Sequence, residues 1–190
     1  YPNGVFYFTQ GLFTAMAKTK FCDGVSDISD SYMGFIIDQW GVLHDGEELY
    51  PGVADCMKEL KERKKTVLIL SNSDERAEEN KINLKKMGLG PSLYNIIVTP
   101  AEVLWEGFNS RKEGAFEKLG KRCYVFGRNG QDEIYKDSGI EIVDDVDDAD
   151  FVLILGMDYP RKTLADYDPI IRKAIQKRLK AFCQNPDSLS

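Results

Sequence analysis

Two polar clusters in this 190-residue sequence stand where chemistry could be done. Asp38 ends the apolar run Gly34-Phe35-Ile36-Ile37, and Ser71-Asn72-Ser73 ends the run Thr66-Val67-Leu68-Ile69-Leu70. In open parallel sheets, ligands bind beyond the carboxyl ends of the strands. One helix joins these two strand ends, so a right-handed crossover makes them neighbours. An Asp there, followed by a loop with Gly41 and Gly46, suits nucleophilic attack on phosphorus. The carboxylate would form an aspartyl-phosphate, and water would hydrolyse it. A dianionic phosphate repels that carboxylate, so a cation such as Mg²⁺ must lie between them. The Ser71 hydroxyl and the backbone N–H groups of the turn at Asn72 would hold the phosphoryl oxygens. A strand-terminal Asp also serves as a plain cap, and Ser-Asn-Ser as plain loop chemistry, so spacing alone leaves both readings open.

The elements that must position these residues alternate along the chain, as βα units over a parallel sheet do. Strands are expected at 34–37, 66–70 and 96–98. A helix opened by Pro51 follows the first, with Val53, Cys56, Met57 and Leu60 at helical spacing. A second helix is expected over 74–87, with Ile82, Leu84 and Met87 apolar and Gly88 as its stop. Thr99, Pro100 and Glu102 together start a third. Around Gly107–Gly120 the composition turns polar and glycine-rich, which marks a domain boundary. A second alternation then follows: strands at 123–126, 140–143, 151–155 and 179–183, a helix near 132–136, and a helix opened by Asp168-Pro169 and running to Lys177.

Composition narrows the classes. Hydrophobic residues make up 43% and charged residues 29%, which is globular and excludes disordered or collagen-like chains. With 25 Lys+Arg against 31 Asp+Glu the net charge is −6, and acidic residues interrupt the densest basic run, so nucleic acid is not an expected partner. No stretch reaches the ~18 apolar residues a membrane-spanning helix requires. The opening segment, 1–21, reads as a leader or non-native extension, with Met16 as a candidate start. Cys22, Cys56, Cys123 and Cys183 form no C-x-x-C pair, and reduced structural thiols in the cytoplasm are expected.

Several longer strings sharpen the picture. Phe35-Ile36-Ile37-Asp38-Gln39-Trp40-Gly41-Val42-Leu43-His44-Asp45-Gly46, Tyr50-Pro51-Gly52 and Leu70-Ser71-Asn72-Ser73 resemble the haloacid dehalogenase (HAD) superfamily. Val98-Thr99-Pro100-Ala101-Glu102 and Asn185-Pro186-Asp187 are similar to its class IIA cap subgroup, which includes nucleotide, p-nitrophenyl phosphate and pyridoxal phosphate phosphatases. The resemblance implies a Rossmann-like parallel-sheet core, here its N-terminal part over 22–106, with an α/β cap domain over 107–190. It implies Asp38 as nucleophile and magnesium ligand, the Trp40 backbone carbonyl as a second magnesium ligand, and Ser71 as the phosphate-binding hydroxyl. Asn185 and Asp187 become candidate substrate contacts from the cap. The implied activity is Mg²⁺-dependent hydrolysis of a small phosphorylated metabolite.

Two departures qualify that pattern. The family usually carries a second Asp two positions after the nucleophile as general acid, and here that position is Trp40, whose indole cannot play that part. A non-catalytic phospholigand-binding or interaction module on the same scaffold is therefore the alternative. The family also needs a later Lys and a Gly-Asp-x-x-x-Asp segment, and no Gly-Asp pair occurs in the sequence. A chain lacking the C-terminal part of its core, inactive by itself, is the expectation. His44, the only histidine, is expected to make a loop hydrogen bond, and the acidic run Asp144–Asp150 a solvated loop.

Overall fold

The computed structural model of the chain describes residues 21–112, 114–127, 132–158 and 160–185. The chain divides into two units, 1–32 and 33–190. In the first, the described residues form one helical turn, α1 (Ser26–Ser29). Residues 1–20 of the expected leader lie outside the described residues.

The second unit contains two parallel sheets. In one, β1 (Gly34–Asp38), β2 (Thr66–Leu70) and β3 (Ile96–Val98) pair in the order β1-β2-β3. β1 and β2 lie in register from Gly34 opposite Thr66 to Asp38 opposite Leu70. The α/β class with a parallel sheet is the one the sequence implies. Helix α2 (Val53–Glu62) buries Met57 and Leu60 in a cluster with Val67 and Ile69 of β2, as its spacing requires. Helix α3 (Ala77–Lys86) turns Ala77, Asn80 and Leu84 inward. Ile82, expected on the apolar face, is instead 48% exposed. The face that docks is set by the i, i+3, i+7 row through Ala77, and that row carries an Asn where the core would take a hydrophobe.

The other sheet holds β4 (Arg122–Phe126), β5 (Glu141–Ile142), β6 (Phe151–Ile154) and β7 (Lys180–Cys183), in the order β5-β4-β6-β7. Helix α4 (Pro100–Ser110) is capped as read, the Thr99 side chain accepting the Glu102 N–H at 3.1 Å. Its Ala101, Leu104 and Phe108 pack into the cluster of β4, β6 and β7, so the packing partner changes between β3 and α4. The 101-104-108 spacing announces a buried face and says nothing of which sheet receives it. Phe108 sits edge-on to Phe116 and Phe182, both at 5.4 Å between ring centroids.

Helix α5 (Leu164–Gln176) covers the opposite face with Tyr167 and Ala174. It starts four residues before Asp168, because Asp166 Oδ2 accepts from both the Thr163 N–H (2.7 Å) and hydroxyl (2.8 Å). Pro169 thus lies inside the helix and not at its start. The helix expected near 132–136 is a single 3₁₀ turn, Asp132–Ile134. Among the described residues no helix is long and apolar enough to cross a membrane.

Candidate active site

Asp38 closes β1, opposite Leu70, so the residue that follows Leu70 stands beside it. That residue is Ser71, held in line by its N–H to the Val98 carbonyl of β3 (3.0 Å). The two strand ends singled out in the sequence are therefore neighbours. Asp38 is exposed, and its Oδ1 accepts the Gln39 N–H at 2.8 Å. The chain then folds into a tight loop. The Gln39 carbonyl accepts the Leu43 N–H (2.8 Å), and the His44 carbonyl accepts the Gly41 N–H (2.9 Å).

Inside that loop, the six-membered ring of Trp40 closes on Gly46. The indole is 63% exposed, and a Cβ at Gly46 would sit 2.4 Å from it. Gly46 also has φ +108°, a conformation side chains rarely adopt, so both constraints demand glycine here. His44 is buried, with its Nδ1 accepting the Gly46 N–H at 2.9 Å. Its Nε2 lies 3.2 Å from the Gln39 amide nitrogen, so N–H donors face both ring nitrogens. Burial lowers the His44 pKa, against the opposing charge of Asp45. Its neutral ring braces the loop.

The turn after β2 is organised by hydroxyls. Ser71 Oγ accepts the Ser73 N–H (3.2 Å), and Ser73 Oγ accepts the Glu75 N–H (3.2 Å). Since Ser71 Oγ already accepts, its own O–H is the proton it can give to a phosphoryl oxygen. A cavity of about 650 Å³ opens here, lined by Trp40 and Glu47 of the first loop, Ser71 and Asn72 of the second, and Asn83 and Lys86 of α3. Asp38 is not part of its lining and stands beside it at the strand end.

Three contributors escaped the sequence reading. Gln39 and Asn80 are buried polar residues joined by a 2.9 Å hydrogen bond. Gln184, just after β7 and 3% exposed, donates to the Asp74 carbonyl at 3.0 Å, tying the second sheet to the turn after β2. No signal in the sequence set these residues apart: on α3, Asn80 and Asn83 read alike. Of the two candidate cap contacts, Asn185 follows Gln184 directly, and Asp187 lies outside the described residues.

One ion pair lies at the start of α3. Glu102 accepts from Arg76 (3.0 Å) and from the Ala77 N–H that opens α3 (3.0 Å), while Arg76 lies 3.7 Å over the Trp105 ring. Burial works against the Glu102 charge, but these bonds outweigh it and hold the carboxyl below its usual range. In the acidic run, Asp150 pairs with Arg122 and Asp147 with Lys173. Among the described residues no group of three or more His, Cys, Asp or Glu could hold a metal ion. A carboxylate such as that of Asp38 and a backbone carbonyl such as that of Trp40 are hard oxygen donors of the kind Mg²⁺ prefers.

The family model of haloacid dehalogenase-like hydrolases matches residues 35–141, more than half of the chain and a span that includes both strand ends. Among solved structures, the fold is similar to that of a haloacid dehalogenase-like hydrolase from Brucella suis 1330, with a TM-score of 0.70 and 22% identity over 88% of this chain and 61% of that one. It is similar to p-nitrophenyl phosphatase from Archaeoglobus fulgidus, with a TM-score of 0.59 and 24% identity over 82% and 56% of the two chains. It is also similar to glycerol phosphate phosphatase from Mycobacterium tuberculosis in complex with magnesium, with a TM-score of 0.57 and 18% identity over 84% and 46%. At such identities the likeness is one of fold, and the chain spans less than two thirds of the length of each. No curated protein matches it. The family match, running from β1 through both loops of the site, shows that the chain belongs to the haloacid dehalogenase-like hydrolases.

Proposed function

We propose that the whole protein is a magnesium-dependent phosphohydrolase of the class IIA type, acting on a small phosphomonoester. The observation that carries this is the placement of Asp38 beside Ser71, at adjacent strand ends of a parallel sheet. In this reading an Asp38 carboxylate oxygen attacks phosphorus, and the bond from phosphorus to the leaving oxygen breaks. The leaving alkoxide takes a proton from water, since the indole of Trp40 has none to give as an acid. A second water then attacks the aspartyl-phosphate, releasing inorganic phosphate and restoring the Asp38 carboxylate. Ser71 donates its O–H to a phosphoryl oxygen, and the backbone N–H groups around Asn72 accompany it.

Mg²⁺ would be held by the Asp38 carboxylate and the Trp40 carbonyl, with water and phosphate filling its other positions, and would offset the charge of the phosphoryl group. The second sheet, expected over 107–190 and joined by helix α4 from Pro100, is read as the cap domain, with Asn185 and Asp187 as candidate substrate contacts, and the first sheet, within 22–99, as part of the core. Its free thiols, Cys56, Cys123 and Cys183 among them, suit the cytoplasm, and burial pushes Cys123 up to about 12, beyond easy oxidation.

Phosphate release from a panel of small phosphomonoesters, with Mg²⁺ and the full-length protein, tests the reading. Wild type is expected to turn over at least one substrate, and Asp38→Asn none. Equal inactivity of both on every substrate would sink the hydrolase. Tight ligand binding unaffected by Asp38→Asn would instead support the non-catalytic alternative.

A further inference from the structure

We propose that Asn80 is a positioning residue that fixes the Asp38 and Ser71 strand ends relative to one another; this rests on the proposed function of that site. Asn80 is 2% exposed on a helix face otherwise formed by Ala77 and Leu84. Its Oδ1 accepts the Gln39 Nε2–H at 2.9 Å. Its Nδ2 donates to Ser73 Oγ (3.3 Å) and to the carbonyls of Glu75 (3.2 Å) and Arg76 (3.0 Å). One buried amide therefore grips the loop after β1 with its oxygen and the turn after β2 with its nitrogen.

Each grip is one step from the reacting groups. Gln39 gives its own N–H to Asp38 Oδ1, and Ser73 gives its N–H to Ser71 Oγ. The path Asp38–Gln39–Asn80–Ser73–Ser71 thus joins nucleophile to phosphate-binding hydroxyl without passing through the strand ladder. A hydrophobe at position 80 would suit the helix face, whereas a buried amide must be desolvated and exactingly paired. Gln39 even keeps a buried Oε1 that has no partner among the described residues. A local rule broken at such a cost, beside a reactive site, marks a group kept for geometry. Displacing either strand end by about 1 Å would cost on the order of 10²-fold in rate.

The test is a double-mutant cycle on Gln39→Leu and Ser73→Ala in the full-length protein, assayed with p-nitrophenyl phosphate and Mg²⁺. Each single change is expected to lower kcat about tenfold with KM within about twofold, because geometry and not ground-state binding is lost. The double variant is expected to fall only about 10- to 20-fold, since either change already breaks the shared path. Independent effects, multiplying to about 100-fold, would overturn the proposal. A second readout needs no turnover: Gln39→Leu should shift the backbone amide NMR signals of Ser71 and Ser73 in the wild-type background and leave them unmoved in Asn80→Ala. Unshifted signals in the wild-type background, or the same shifts in both, would also overturn it. If no phosphoester is hydrolysed, the phosphohydrolase reading fails while the NMR readout still decides the coupling. Should Asn80→Ala not fold, the Gln39/Ser73 cycle carries the test with Asn80 intact.

Discussion

Around the strand ends of the first sheet polar side chains are buried: Gln39, His44, Ser71, Asn80 and Thr99. The second sheet is filled instead with rings, Phe108, Phe126, Phe151 and Phe182 among them, and Gln184 is its one buried polar residue among those described. Both sheets are parallel and of similar size, so architecture does not explain the contrast. Burying an unpaired amide or hydroxyl costs about 1–3 kcal/mol, whereas burying a ring stabilises by a comparable amount. The second sheet is built for cohesion. On the proposed function, the first accepts polar groups because the oxygens and nitrogens of its loops must be aimed.

That contrast can be broken by substitution. Asp38→Asn should lower phosphate release by at least ~10⁴-fold while its thermal midpoint stays within a degree or two of wild type, as removal of an exposed residue in the proposed role of nucleophile predicts. A large fall in the midpoint would show Asp38 to be a structural cap. Phe108→Ala should do the reverse. It removes a fully buried ring that meets Phe116, Phe151 and Phe182, and should cost about 3–5 kcal/mol in denaturant unfolding. The kcat of the folded fraction should remain within about twofold, and a kcat loss matching that of Asp38→Asn would erase the division between the sheets.

The smallest effect concerns Glu102, at the seam of the two sheets. Its folded pKa is depressed, mainly because bonds from Arg76 and the Ala77 N–H outweigh its burial. A depressed carboxyl contributes stability at neutral pH that is lost as pH falls through the carboxylate range. Glu102→Gln should therefore cost about 1 kcal/mol at pH 7 and flatten the decline of the thermal midpoint below pH ~4.5. An unchanged acid slope would show that the pair contributes nothing.

What was legible in the sequence follows the same division. β2 and β3 stand at 66–70 and 96–98, as their apolar runs predict, and the Thr99 cap was visible from three agreeing residues. Asp38 and Ser71 were legible because each breaks an apolar run at its carboxyl end. Asn80 was not, since α3 reads as a polar surface helix in which Asn80 and Asn83 look alike, and only docking against β3 separates them. The start of α5 was misplaced because Pro169 is a stronger signal on paper than Thr163, whose box with Asp166 decides the helix start. Gln184 was hidden for another reason: its partner, the Asp74 carbonyl, is 110 positions away in sequence.

The account rests on Asp38 carrying the phosphoryl group. The most direct measurement is to mix the full-length protein with Mg²⁺ and a hydrolysed phosphomonoester, quench in acid within the turnover time, and map the modified peptide by mass spectrometry. The account predicts one phosphoryl group on the peptide containing Asp38, labile to hydroxylamine as an acyl phosphate is, and absent from Asp38→Asn. Turnover with that peptide unmodified, or a phosphoryl group stable to hydroxylamine on another residue, would contradict it.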